Sequence, residues 1–438
     1  MKSARRLLRY LNPFRLVRFL VDGIRRAALA LANWRRRRFR RIDYVILNLP
    51  PRMPALPERR GWWQRRLMGP PLLSLWELAE TFRRIGDDPR LAGVILSMRG
   101  LQMPLADLQT LRQAIQQLRG AGKRVVCFAH AYDTGSYYVA SAASHIVLQE
   151  VGELAAVGLH GQAIFLRDAL DAIGLQLDVE AITPYKSAYD MFARRDISPE
   201  HREMVNWLLN SQYAMLVEGI AAGRGLTPEA VRAMIDGAPY QAPAAREAGY
   251  VDAEFNEEGL AAYLGAAHLV PWEKAVRVLP RKWQRRAEKA VAVLPLRGLI
   301  VEGESRQPPV DIPMPLLGES RLGHLTVVQQ VRNLMKDRRA AAVVLFIDSG
   351  GGSASASEAI ASALAELAED RPLVAAMNGL AGSGGYYIAT PARWIVAQPG
   401  TRTGSIGVLA AKPMGGALLN NLRIHAVEFT RGANATFY

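Results

Sequence analysis

The feature that most restricts the fold is an internal repeat: residues 93–148 align without a gap on residues 342–397, at a constant offset of 249. GVILSM (93–98) falls on AVVLFI (342–347), and the helical stretch 106–119 falls on 355–368. VVCFA (125–129) meets VAAMN (374–378), and YYVASAASHIVLQ (137–149) meets YYIATPARWIVAQ (386–398). Self-similarity of this kind points to two similar units, each with the same apolar pattern to bury. Each copy reads as an apolar strand, an amphipathic helix, a second strand, a Gly-rich turn, a short helix and a third strand, the pattern of an α/β fold with parallel strands.

Strand-like runs precede both copies, DYVILNL (43–49) and AVAVLPL (290–296), each followed by a helical run, 74–86 and 325–336. Between the copies, 198–222 and 227–236 read as helices entered through Ser198-Pro199-Glu200 and Thr227-Pro228-Glu229, capping residues with Pro in the first turn. The expected organisation is a basic segment over 1–41, a first domain over 42–259, a mixed, basic linker over 260–289 and a second domain over 290–438.

The formal charge of +15 invites a nucleic-acid reading until its location is considered. Residues 1–41 hold fourteen Lys or Arg against the single acid Asp22, and the remainder has 41 basic and 39 acidic residues. The body is nearly neutral, and the basic character belongs to a tail. That tail interleaves its cations with Leu7, Leu8, Leu11, Phe14, Leu16, Val17, Phe19, Leu20 and the run Ala27 to Trp34. No stretch reaches the roughly 18 to 20 apolar residues of a spanning helix, and the arginines on both sides of Ala27–Trp34 do not suit a secretory signal. The segment reads as an interfacial amphipathic helix or helix pair whose arginines meet anionic headgroups. A solvated basic arm, or an arm for nucleic acid, is the alternative. Cys127 is the sole cysteine, so the chain has no intrachain disulfide and no thiolate metal cluster.

Ser383 lies in Gly382-Ser383-Gly384-Gly385-Tyr386-Tyr387, where a strand hands over to a helix. A hydroxyl there is exposed, sits near a helix N-terminus and has small neighbours that admit a substrate carbonyl. A helix cap flanked by turn glycines explains the fragment equally well. Asp348-Ser349-Gly350-Gly351-Gly352-Ser353 ends the preceding core strand, so one of its amides together with that of Gly384 would hold an oxyanion. A phosphate loop is the rival reading, weakened because no Walker-type Lys follows.

A base for Ser383 is sought first among His130, His145, His160, His201, His268, His324 and His425, none of which lies in a Ser-His-Asp context. Lysine is the other source. Only eight of the 55 cations are Lys, and Arg cannot give up its proton at useful pH whereas a buried Lys can. Lys186, in Ile182-Thr183-Pro184-Tyr185-Lys186-Ser187-Ala188-Tyr189, follows the strand-like 176–182 amid aromatic and small residues, although by itself it also reads as a surface lysine. The repeat links the two. Thr134 occupies the place of Ser383 in copy one, and Asn434 falls close to the place of Lys186 in copy two, so each copy keeps one half of a Ser/Lys pair.

At these residues the sequence resembles signal peptide peptidase A, the SppA-type serine peptidases in their long double-domain form. AGSGGYYIATPARWIVAQPGTRTGSIG (381–407) is similar to the family's nucleophile region and TPYKSAYDMFARRDISPEHRE (183–203) to its lysine region, within a resemblance covering roughly 42–438. The resemblance implies duplicated ClpP/crotonase-like α/β domains, homo-oligomeric assembly, no cofactor or metal, and cleavage of signal peptides at a membrane. It makes Ser383 the nucleophile, Lys186 the general base, Ser405 the serine that bonds the lysine, and Gly352 and Gly384 the oxyanion donors. Three departures stand out: the family's Asn-Ser-Pro-Gly-Gly is Asp348-Ser349-Gly350-Gly351-Gly352 here, which loses a stiff Pro; the family's membrane span is missing; and the chain stops at Tyr438, earlier than copy one would require. The expectation is a peripheral serine peptidase of the inner membrane that binds lipid through residues 1–41 and uses no nucleic acid. A crotonase-like acyl-CoA enzyme and a catalytically inactive membrane scaffold are the alternatives.

Overall fold

The computed structural model describes residues 13–38, 41–58, 60–182, 184–266, 268–280, 287–306 and 320–435. They form two compact units, the first from residues 1–103, 107–157 and 218–287 and the second from 104–106, 158–217 and 288–438.

The first unit is built on a seven-stranded sheet in the order Tyr240–Gln241, His145–Ala155, Arg124–Asp133, Gly93–Met98, Tyr44–Leu49, Leu269–Pro271, with Ala253–Glu254 also on His145–Ala155. Every pairing is parallel except that of Tyr240–Gln241. Val94, Ile95, Leu96 and Met98 are all buried, as expected for a central parallel strand covered on both faces. The helix Leu75–Gly86 starts at a capping box in which Ser74 and Glu77 bond each other's backbone N–H, and it buries Leu78, Phe82 and Ile85.

The second unit has a five-stranded, wholly parallel sheet in the order Trp394–Ala397, Leu373–Gly382, Ala340–Ser349, Ala290–Arg297, with Arg402–Gly404 continuing beside Leu380–Gly382. Along Ala340–Ser349 the buried positions alternate, Val343, Leu345, Ile347 and Ser349, because successive side chains of a strand point to opposite faces. Their apolar members join Ile360, Leu364 and Leu367 of the helix Ala354–Asp370 in one core. Leu345→Ala is therefore expected to cost about 2–5 kcal/mol, visible as a lower denaturant midpoint with an unchanged slope.

The repeat is realised in the starts of three elements. Leu105, Arg124 and His145 begin a helix and two strands in the first copy, and Ala354, Leu373 and Trp394, each 249 positions on, begin their counterparts. Each unit is thus α/β on a parallel sheet, the duplicated class that the sequence implied.

The unit boundaries differ from those the linear sequence suggests. Residues 158–217, expected with the first domain, belong to the unit of 288–438. The cause is long-range pairing: Gln176–Ala181 runs antiparallel to Leu409–Met414, and Leu418 N–H donates to the carbonyl of Gly174 at 2.8 Å. The stretch 260–289 is not a bare linker either. Its helix Leu260–Leu264 buries Leu260, Leu269–Pro271 forms the edge of the sheet beside Tyr44–Leu49, and Ala275 and Leu279 are buried. Burying those apolar groups outweighs leaving the segment in solvent. Residues 281–286 lie outside the described residues.

Pro13–Arg38 is a 26-residue helix. Leu20, Ile24, Leu31 and Trp34 are exposed and, at 3.6 residues per turn, fall along one stripe. Among the described residues no helix is long and apolar enough to cross a membrane. The expected amphipathic segment 1–41 is described only from residue 13.

Candidate active site

Ser383 stands between the end of the strand Leu373–Gly382 and the short helix Gly384–Tyr387. Its φ of 50° and ψ of −119° lie in a region that L-residues rarely adopt. The conformation is held from both sides: Ser383 N–H donates to Gly404 O at 2.8 Å, and Tyr387 N–H donates to Ser383 O at 2.9 Å. Ser383 is half-buried rather than fully exposed, and strain kept this way at its hydroxyl is what a sharp strand-to-helix nucleophile turn requires. Gly385 permits it, since a Cβ there would lie 2.2 Å from Ser349 O.

Lys186 reaches this turn within the same unit. The strand Gln176–Ala181 is fixed along its length by Leu409–Met414, and Ile182 N–H extends the ladder to Val408 O at 3.1 Å. The chain then turns and delivers the Lys186 ammonium nitrogen to 3.0 Å from Ser383 Oγ. The same Nζ bonds Ser405 Oγ at 3.1 Å and the Ser405 carbonyl. Ser405 itself has φ 49°, a second non-glycine residue in the left-handed region, which turns its carbonyl and hydroxyl together toward the lysine. Lys186 is only 8% exposed, and burial pushes its pKa below the usual lysine value.

This geometry has a definite chemical meaning. An ammonium would use its three N–H donors on Ser383 Oγ, Ser405 O and Ser405 Oγ. A neutral amine keeps two donors for Ser405 and turns its lone pair on the Ser383 hydroxyl, whose proton it can then take. Among the described residues no histidine bonds Ser383, Lys186 or Ser405; the nearest in sequence, His201, faces Asp190 at 3.6 Å.

The glycine loop lies against the same turn. Ile300 N–H donates to Gly351 O at 2.9 Å, and Ser353 N–H donates to Ile300 O at 2.9 Å, which spends one side of the loop and leaves the Gly352 N–H directed away from Ile300. A Cβ on Gly351, at φ +97°, would lie 2.6 Å from Gly384 N and 2.8 Å from Ser383 Cβ, so only glycine allows this approach. Among the described residues nothing accepts from the N–H of Gly352 or of Gly384. Two unspent amides beside a hydroxyl held by a buried amine are the components of an acyl-transfer site.

Sequence reasoning passed over Ser349. Its hydroxyl donates to Gly298 O at 2.6 Å and accepts from Gly351 N–H at 3.2 Å, tying the loop to the end of the strand Ala290–Arg297. This clamp supplies order that the missing proline would otherwise give. The sequence shows only a serine on the inward phase of an apolar strand, and folding leaves it 2% exposed. If the loop amide holds an oxyanion, Ser349→Ala should lower kcat about tenfold, with KM little changed, because a loosened donor misses the transition state first.

The copy-one counterpart is different. Asp133 makes a capping box with Ser136, its carboxylate accepting from Ser136 N–H at 2.7 Å, and Thr134 opens an ordinary helix without positive φ. Asn434 sits exposed in a turn.

A parallel α/β unit carrying a serine, a buried lysine and a glycine loop has the parts that a serine hydrolase requires. The family is more specific: peptidase family S49 matches residues 117–266 and 365–438, more than half of the chain, and the chain belongs to it. It is 29% identical to "Protease 4" of Salmonella typhi over 371 residues, 81% of this chain and 58% of that one. It is 28% identical to "Serine protease SPPA, chloroplastic" of Arabidopsis thaliana, covering 83% and 54%, and 26% identical to "Protease 4" of Haemophilus influenzae, covering 90% and 67%. The chain thus spans a little over half the length of the first two relatives. Among solved structures, an enoyl-CoA hydratase/isomerase family protein from Silicibacter pomeroyi aligns with 51% of this chain at 13% identity and a TM-score of 0.28, too distant to support an inference.

Proposed function

We propose that the chain is a serine endopeptidase of the membrane surface that hydrolyses signal peptides or other short unstructured peptides through Ser383 and Lys186. The observation that carries this reading is the 3.0 Å contact between Lys186 Nζ and Ser383 Oγ at a buried lysine whose remaining bonds go to Ser405. Neutral Lys186 takes the Ser383 proton as Oγ attacks the peptide carbonyl. The Gly352 and Gly384 amides receive the oxyanion, and the lysine returns the proton to the leaving amine. Water, deprotonated by the same amine, then releases the acyl group and restores both side chains. The relatives' printed names, which are those of proteases, agree with hydrolysis of peptide bonds.

Association with the inner membrane through residues 1–41 is part of the same proposal. It rests on the exposed stripe Leu20, Ile24, Leu31, Trp34 and on the basic residues that surround it.

The test is direct. The purified chain is incubated with unstructured apolar peptides and, separately, with a fluorophosphonate probe, and the adduct is located by mass spectrometry. Modification of Ser383 with peptide cleavage is expected. Absence of both across the pH range would sink the reading in favour of an inactive scaffold, and turnover of acyl-CoA surviving Ser383→Ala would favour the crotonase-like alternative.

A further inference from the structure

In the first unit, the segment between Glu58 and Glu77 has a composition unlike the rest of the body: four arginines, no acidic residue, and Trp62, Trp63, Leu67, Met68, Leu72 and Trp76. The helix Trp62–Met68 buries none of its residues. Trp62 is 62% exposed, Trp63 72% and Leu67 85%, and Leu72 and Trp76 are exposed as well. Scattered apolar residues on a surface need no explanation, but a contiguous aromatic group of this size does.

The projection is ordered without a packed core of its own. Arg60 donates through one guanidinium nitrogen to the carbonyls of Met68, Gly69 and Pro70, at 3.2, 3.4 and 3.1 Å, and so satisfies the orphan acceptors at the helix end. Gln64 closes the other end by accepting from Gly61 N–H at 2.8 Å, and Arg65 donates to Arg60 O at 3.0 Å. The rings of Trp62 and Trp63 lie 3.9 Å apart between centroids. Polar side chains thus fix the base, and the apolar ones are turned to solvent.

We propose that this helix is a second lipid contact, on the folded body itself, that seats Trp62, Trp63 and Leu67 in the headgroup region of an anionic bilayer. Three observations select a membrane over a protein partner. Tryptophan prefers the boundary between headgroup and hydrocarbon, where its ring is apolar and its N–H stays wet. Among the described residues the arginines of the segment pair with one acid, Glu58, at 3.4 Å from Arg60, so the net charge complements anionic lipid. The helix Pro13–Arg38, with its own apolar stripe and basic flank, belongs to the same unit. One interfacial helix holds a protein reversibly, whereas a second contact on the same body binds at high effective concentration and makes attachment persistent.

The inference adds to the proposed membrane association and is separable from it. Cys127, the sole native cysteine, is fully buried, so single cysteines introduced into the full chain can carry an environment-sensitive fluorophore. Leu67→Cys reports the body and Leu31→Cys reports the N-terminal helix. With phosphatidylcholine vesicles containing phosphatidylglycerol, both labels should shift to the blue. In the unlabelled chain Trp62→Ala with Trp63→Ala should weaken vesicle partitioning on the order of tenfold, while peptide hydrolysis in solution is unchanged. A silent label at 67 beside a responsive label at 31 overturns this inference, leaves the N-terminal helix as the lipid contact, and hands the aromatic patch to a protein partner. Silence at both positions overturns the two lipid contacts together.

Discussion

Ser383→Ala is expected to reduce peptide hydrolysis by at least about a thousandfold, because removal of a nucleophile leaves only the oxyanion donors and substrate binding to act on the transition state. Labelling by the fluorophosphonate should disappear with it. The fold should persist, since Ser383 contributes backbone bonds to Gly404 and Tyr387 that an alanine retains. A companion variant separates chemistry from strain. Ser383→Gly is equally inactive, yet it relieves a φ of 50° that glycine adopts without penalty, so it should be about 1 kcal/mol more stable than wild type. Hydrolysis near the wild-type rate in either variant would exclude Ser383 as the nucleophile.

Lys186 carries the second large effect. Lys186→Arg keeps the positive charge and much of the length but cannot donate a lone pair, and Lys186→Met keeps only the apolar stem. Both should lose about a hundredfold to ten-thousandfold in kcat, the range for a positioned general base. In wild type the working form is the neutral amine. Activity should therefore be low in acid, rise as pH passes through the lysine pKa, which burial holds below its ordinary value, and level off above it. A flat pH–rate profile between about pH 5 and about pH 9 would count against this base.

The same shift has a consequence for stability. The unfolded chain binds the Lys186 proton more tightly than the folded one, so the burial penalty is fully present below the lowered folded pKa. It diminishes as pH rises from that value toward the unfolded one. Lys186→Met should accordingly unfold at a higher temperature than wild type at neutral pH, with the advantage shrinking in alkali. A variant less stable than wild type throughout would mean that the bonds to Ser405 outweigh the cost of burial.

The two glycine positions show how far a residue's neighbourhood can be read before folding. Gly351 and Gly352 in the sequence say that the backbone needs freedom, but two different contacts impose it. Gly351 must pass within contact of Ser383 Cβ, and Gly352 must lie on Ile300 O. Ser349 is the complementary case: a serine at the end of an apolar strand has no visible role until the loop folds back and presents Gly351 N–H to it.

By itself the sequence determined the duplicated strand–helix–strand framework, its element boundaries and the identities of Ser383, Lys186 and Ser405 as residues to watch. The framework follows from local periodicity, capping chemistry and the repeat at 249 residues, Ser383 and Lys186 from turn context and the scarcity of lysine, and Ser405 from the family resemblance alone. Tertiary structure decided the rest. A split at the linker separates Lys186 from Ser383, whereas antiparallel pairing of Gln176–Ala181 with Leu409–Met414 unites them in one unit, joining segments more than two hundred residues apart. Periodicity carries no information about which distant edge a strand will meet, and burial of the amine, the distance of 3.0 Å and the lowered pKa all depend on that meeting.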